Sequence, residues 1–134
     1  MDLPLARADF QSACDAGEPR GCGELGCLLV EAGDVELGAR LHRSACERGV
    51  MRSCSHIGFL LEHGQGVARD EAAAAGMYGL ACDGDDPLGC ANLAVSYENG
   101  MGVPQRTPRA LLSRACDADW PAACRALDEA QRAQ

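Results

Sequence analysis

"ACDGDDPLGC", residues 81–90, sets Cys82 and Cys90 eight positions apart around an acidic turn that carries glycine and proline. On one continuous helix those two cysteines would stand about 12 Å apart along the axis, whereas a disulfide needs Cα atoms within about 7 Å. The pair can close only if the chain reverses between them, and Gly84, Asp85, Asp86 and Pro87 are turn-forming residues. The same spacing occurs four times, as Cys14/Cys22, Cys46/Cys54, Cys82/Cys90 and Cys116/Cys124. The first cysteines of the pairs lie 32, 36 and 34 residues apart, a period that suits a helix-turn-helix unit. Each bridge would therefore staple the last turn of one helix to the first turn of the next.

The repeat extends beyond cysteine. An alanine precedes each first cysteine (Ala13, Ala45, Ala81, Ala115) and an acid follows it (Asp15, Glu47, Asp83, Asp117). Pro19, Pro87 and Pro121 stand where a first-turn residue of the next helix belongs. Counting from each second cysteine as 0, an aliphatic residue falls at +3 (Leu25, Ile57, Leu93, Leu127), a small one at +4 (Gly26, Gly58, Ala94) and an apolar one at +7 (Leu29, Leu61, Tyr97). These positions share one helical face. Glycine then closes the helix in "HGQGVARD" (63–70) and "NGMGVPQRTP" (99–108), and Asp70 or Thr107 caps the next one. The periodicity predicts eight helices, near residues 3–16, 20–32, 35–48, 51–63, 70–83, 87–99, 108–118 and 121–132, with no competing strand pattern.

Composition narrows the function. The 134 residues, 47% of them hydrophobic, suffice for one domain with a real core. A net charge of −8 repels phosphate backbones, so nucleic acid is not an expected partner. No run of about 18 apolar residues is present, so no membrane insertion is expected. Residues 1–10 lack the basic and apolar segments of a signal peptide, so export would depend on a leader outside this sequence. Nine cysteines, eight evenly paired, favour an oxidising compartment, periplasmic or extracellular, with a reduced cytoplasmic array as the alternative.

At residues 89–117, "GCANLAVSYENGMGVPQRTPRALLSRACD", the sequence resembles the Sel1-like repeat (SLR) family. The paired cysteines make it similar to the Helicobacter cysteine-rich branch, whose repeats carry the same eight-residue disulfide spacing. The resemblance implies an all-α, tetratricopeptide-like α/α solenoid serving as an adaptor for other proteins. It implies one array over 1–134: a half-repeat helix (1–18), repeats at 19–50, 51–86 and 87–120, and a capping helix (121–134). Family labels in that branch add penicillin binding, weak β-lactamase activity or cell-wall-fragment binding as the alternative.

Chemistry-bearing motifs are sparse. All twelve basic residues are arginine, so Ser-x-x-Lys and Lys-Thr-Gly cannot occur, and neither a Gly-x-Ser-x-Gly elbow nor His-Glu-x-x-His is present. No catalytic residue, metal site or cofactor is expected. Cysteines two to four apart, the usual zinc pattern, are absent. Cys27, the unpaired ninth, occupies the +5 slot filled by Phe59 and Val95 and reads as buried and inert. His42 fills the slot of Phe10, Tyr78 and Leu112 and reads as a packing residue. His56 and His63 stand two turns apart, about 10 Å, too far for one zinc without outside ligands. Asp83, Asp85 and Asp86 fall in inter-helix turns and read as solvated caps.

What remains is a surface. Positions +2, +6 and +9 of each first helix point about 145° from the core face. They are Glu24, Leu28 and Glu31, then His56, Leu60 and His63, then Asn92, Ser96 and Asn99. The resemblance places that helix face in the groove of the solenoid, where these residues would hold a peptide or protein against a monomeric scaffold, anchored by Leu28 and Leu60.

Overall fold

The computed structural model describes residues 3–100 together with Cys116, Cys124, Arg125 and Asp128. Over this span the chain forms six helices and, among the described residues, no strand: α1 (Leu3–Asp15), α2 (Pro19–Glu31), α3 (Val35–Glu47), α4 (Met51–His63), α5 (Glu71–Asp83) and α6 (Pro87–Asn99). The predicted helices at 108–118 and 121–132 lie outside the described residues, as do the cap at Thr107 and Pro121. Each helix packs on its neighbours in the chain, and α4 also packs on α6, so the hairpins stack into an α/α solenoid.

The hairpin turn is one device used three times. The backbone N–H of Glu18, Val50 and Asp86 donates to the carbonyl of Ala13, Ala45 and Ala81, at 3.0, 3.0 and 2.9 Å. One residue earlier, Gly17, Gly49 and Asp85 donate to the carbonyls of Cys14, Cys46 and Cys82, each at 3.0 Å. This pair of bonds is the Schellman closure of a helix C-terminus, and it needs positive φ at the residue after the C-cap. Gly17 (88°) and Gly49 (97°) supply it, and Asp85 adopts it at 65° in the third turn.

The reversal brings the cysteines together as the spacing requires. Cys14–Cys22, Cys46–Cys54, Cys82–Cys90 and Cys116–Cys124 are all disulfides, with Cα atoms 4.5 to 4.7 Å apart. In two of the hairpins a glycine lies directly against the alanine that precedes the first cysteine. A Cβ at Gly21 would lie 2.6 Å from the Cβ of Ala13, and one at Gly89 would lie 2.5 Å from that of Ala81.

Helix starts follow the sequence signals. Pro19 and Pro87 occupy the first turns of α2 and α6. Asp70 caps α5 by accepting from the N–H of Ala73 at 2.9 Å. The core runs along the stack: Ala39, Ile57 and Leu60 form one buried cluster, Cys46, Cys54 and Ala81 a second, and Leu61, Ala74 and Tyr78 a third. Met77 packs against all three, a task its unbranched, adaptable side chain suits.

Asp86 is a helix cap, as the sequence suggests, but a buried one rather than a solvated one. It is buried, accepts from Ser55 Oγ at 2.6 Å and Arg52 Nε at 2.8 Å, and caps α6 through the N–H of Gly89 at 3.3 Å. One carboxylate thereby joins two successive hairpins.

Candidate functional site: the cleft between α2 and α4

Helices α2 and α4 approach closely at Gly23 because it lacks a side chain; a Cβ there would lie 2.6 Å from Ser53 Oγ. Beside this contact lies a cleft of about 770 Å³, with Glu18, Arg20, Glu24 and Cys27 on the α2 side and Arg48, Arg52 and His56 on the α4 side. Cys27 and His56 also line an adjoining notch of about 180 Å³, closed by Val30, Glu31, His42, Phe59 and Leu60. A charged trough thus leads to a small, largely apolar recess.

The sequence-predicted stripe is only partly on this surface. Glu24, Glu31, His63 and Asn99 are exposed, and Leu28, His56 and Asn92 are half-buried. Leu60 and Ser96, however, are 2% exposed and belong to the interior. Leu60 packs with Ala39, Ile57, Val30, Val67 and Met77, and Ser96 Oγ donates to the carbonyl of Asn92 at 3.0 Å. The reason is the solenoid itself. The side of α4 that carries Leu60 is covered from α2, α3, α5 and the link at Val67, so its covered arc extends past +3 and +7 to take in +6.

Position +5, read from sequence as buried, turns outward instead. Phe59 is 46% exposed, and Cys27 and Val95 are half-buried. The accessible line is therefore +2, +5, +9. Phe59 rests on His63, ring centroids 4.3 Å apart, and His63 Nε2 lies 3.7 Å from Glu62 Oε2. His56 faces away from His63, toward α2 and α3.

Three side chains that the sequence treats separately meet in the notch. The sulfur of Cys27 lies 3.7 Å from His56 Nε2, and the rings of His42 and His56 stack with centroids 4.7 Å apart. His42 is the packing residue its repeat slot implies, 1% exposed, with Nδ1 3.4 Å from Ser53 Oγ. Burial, reinforced by His56, lowers His42 from 6.5 to about 4. Burial also lowers His56; Arg52 adds to this, while Asp86 and Glu24 oppose it. Burial raises the Cys27 thiol, the carboxylates of Glu24 and Glu31 add to that, and Arg52 opposes. At neutral pH the notch holds two neutral imidazoles and a protonated thiol, so Cys27 is no activated nucleophile. The sequence held one clue to this meeting: +5 of one copy faces +2 of the next across adjacent first helices, and here they are Cys and His.

The stapled hairpins, their period and the stacked helices define a helical-repeat scaffold of the SLR fold. The sequence matches no family model and no curated protein. Among solved structures it is similar to c5321, a protective antigen of uropathogenic Escherichia coli displaying an SLR fold, at 28% identity and TM-score 0.82 over 88% of this chain. This chain spans 27% of that antigen's length. A Sel1 repeat protein from Oxalobacter formigenes shares the fold at 23% identity and TM-score 0.79, covering 91% of this chain and 96% of that one. Helicobacter pylori cysteine-rich protein B aligns at 27% identity and TM-score 0.70, covering 92% of each. The likeness to the cysteine-rich branch and the four disulfides agree with an oxidising environment. No helix among the described residues is long and apolar enough to cross a membrane.

Proposed function

We propose that this protein is a peptide- or protein-binding scaffold of the periplasm or the extracellular space, and that the cleft between α2 and α4 takes the ligand. The observation that carries this reading is the continuity of the charged trough with the notch at Cys27 and His56. An extended segment can lie along the trough, pairing with Glu18 and Glu24 on one wall and Arg48 and Arg52 on the other. Its apolar side chain enters beside Phe59, which replaces Leu60 as the anchor. Rigid aromatic surface at the centre of a polar rim is where binding energy concentrates, while the rim charges orient the ligand.

Selection of peptides on the immobilised, oxidised protein tests the reading. Selected peptides should carry an apolar residue flanked by charge, and Phe59→Ala should weaken them by about 2 kcal/mol, roughly thirtyfold. Leu80→Ala, which removes an exposed apolar side chain from α5, should leave affinity unchanged. Equal losses from both substitutions, or none from Phe59→Ala, place the ligand elsewhere.

A further inference from the structure

We infer that Cys27, His42 and His56 form a site for one thiophilic d10 cation, Zn(II) or Cu(I), held between α2, α3 and α4 with one coordination position open to the cleft. These residues are the one group of three potential ligands brought together among the described residues, and their donor atoms all lie within 4.8 Å of one another. Bond lengths of about 2.3 Å to sulfur and 2.0 Å to nitrogen put ligands about 3.5 Å apart around a tetrahedral ion. Cys27 Sγ and His56 Nε2, at 3.7 Å, already meet that spacing. The widest pair needs only a side-chain rotation of about 1 Å.

The surroundings prepare the donors. Ser53 engages Nδ1 of His42 at 3.4 Å, which leaves Nε2 as the atom that faces inward. Gly26 keeps that edge clear, since a Cβ there would stand 3.1 Å from His42 Nε2. A hydrogen-bonded second ring nitrogen is how metal-ligating histidines are usually oriented. Neutral imidazoles are the form that binds metal. Cys27 releases its proton to solvent as the metal–sulfur bond forms, and the cation replaces that proton as the positive partner of sulfur beside Glu24 and Glu31. One thiolate and two imidazoles suit a soft or borderline ion. Cu(I) is complete with three donors, and Zn(II) takes a water in the fourth position. The eight remaining cysteines are disulfides and do not compete.

The inference is independent of any peptide ligand and is tested with metal alone. Chelator-stripped, oxidised protein is titrated with Zn(II), with Cu(I) under anaerobic chelator competition, and with Co(II) as a spectroscopic probe. One equivalent of Zn(II) or Cu(I) should bind, and Co(II) should show a thiolate charge-transfer band. Cys27→Ala and His56→Ala should each weaken binding at least about a hundredfold and abolish the band, and Ser53→Ala, acting through His42, should weaken it about tenfold. His63→Ala should change nothing. Should a ligand variant fail to fold, alkylation of Cys27 in the unaltered protein decides: bound metal must slow it. The site is refuted by no one-equivalent binding of either ion, by binding indifferent to Cys27→Ala and His56→Ala, or by an alkylation rate that metal leaves unchanged.

Discussion

Asp86 shows how much a single side chain does in this fold. It caps α6 and binds Ser55 and Arg52, which lie 31 and 34 residues earlier in the chain. Ser55 is fully buried, so losing its acceptor strands a hydroxyl away from water. Asp86→Ala should therefore lower unfolding stability by about 2–3 kcal/mol in urea titrations, the sum of a lost cap and a stranded donor. Arg52→Ala, whose side chain is 56% exposed, should cost under about 1 kcal/mol in the same measurement. The sequence places Asp86 in a turn but cannot show its burial, because that depends on the preceding hairpin arriving beside it. Phe59 and Leu60 repeat the lesson. A one-position error in facing, small on a helical wheel, exchanges a core leucine for a surface phenylalanine, and only the packing of neighbouring elements around α4 decides between them.

At the scale of elements, the helix boundaries were legible to within a residue for α1 to α6, since proline, Asp70 and the Gly64 and Gly100 terminators mark them chemically. The disulfide pairing was legible for the same reason: a closed loop of that length forces a reversal. What the spacing did not reveal is that the bridges are buried to different depths. Cys54 is fully buried, and with Cys46 and Ala81 it forms a core cluster, whereas Cys14 is half-buried. Chain-entropy reasoning values each bridge at about 2.5 kcal/mol. Replacing both cysteines by alanine at positions 46 and 54 adds a cavity to that loss, so it should cost about 1–2 kcal/mol more than the same change at positions 14 and 22. Urea midpoints of the two double variants, at equal m-value, give the comparison.

For the whole molecule, buried neutral histidines make stability depend on pH. His42 titrates near 6.5 when unfolded and at about 4 when folded, and His56 is lowered as well. The unfolded chain therefore binds the proton first as pH falls. The His42 contribution to the stability of the metal-free protein is present above about pH 6.5, declines as pH falls below it and is lost near pH 4, a loss of up to about 3 kcal/mol. His42→Phe, the side chain found in the same slot as Phe10, should flatten much of that slope in melts run with a chelator present. The bridges have a mechanical consequence as well. They join α1 to α2, α3 to α4 and α5 to α6, always at the alternate turn, whereas the α2–α3 and α4–α5 links carry none. Pulled from its ends, such a chain cannot pay out the loop between any two bridged cysteines. All its extension must come from the helices and the unbridged links, as a bound book opens between its gatherings while each folded sheet stays stitched at the spine.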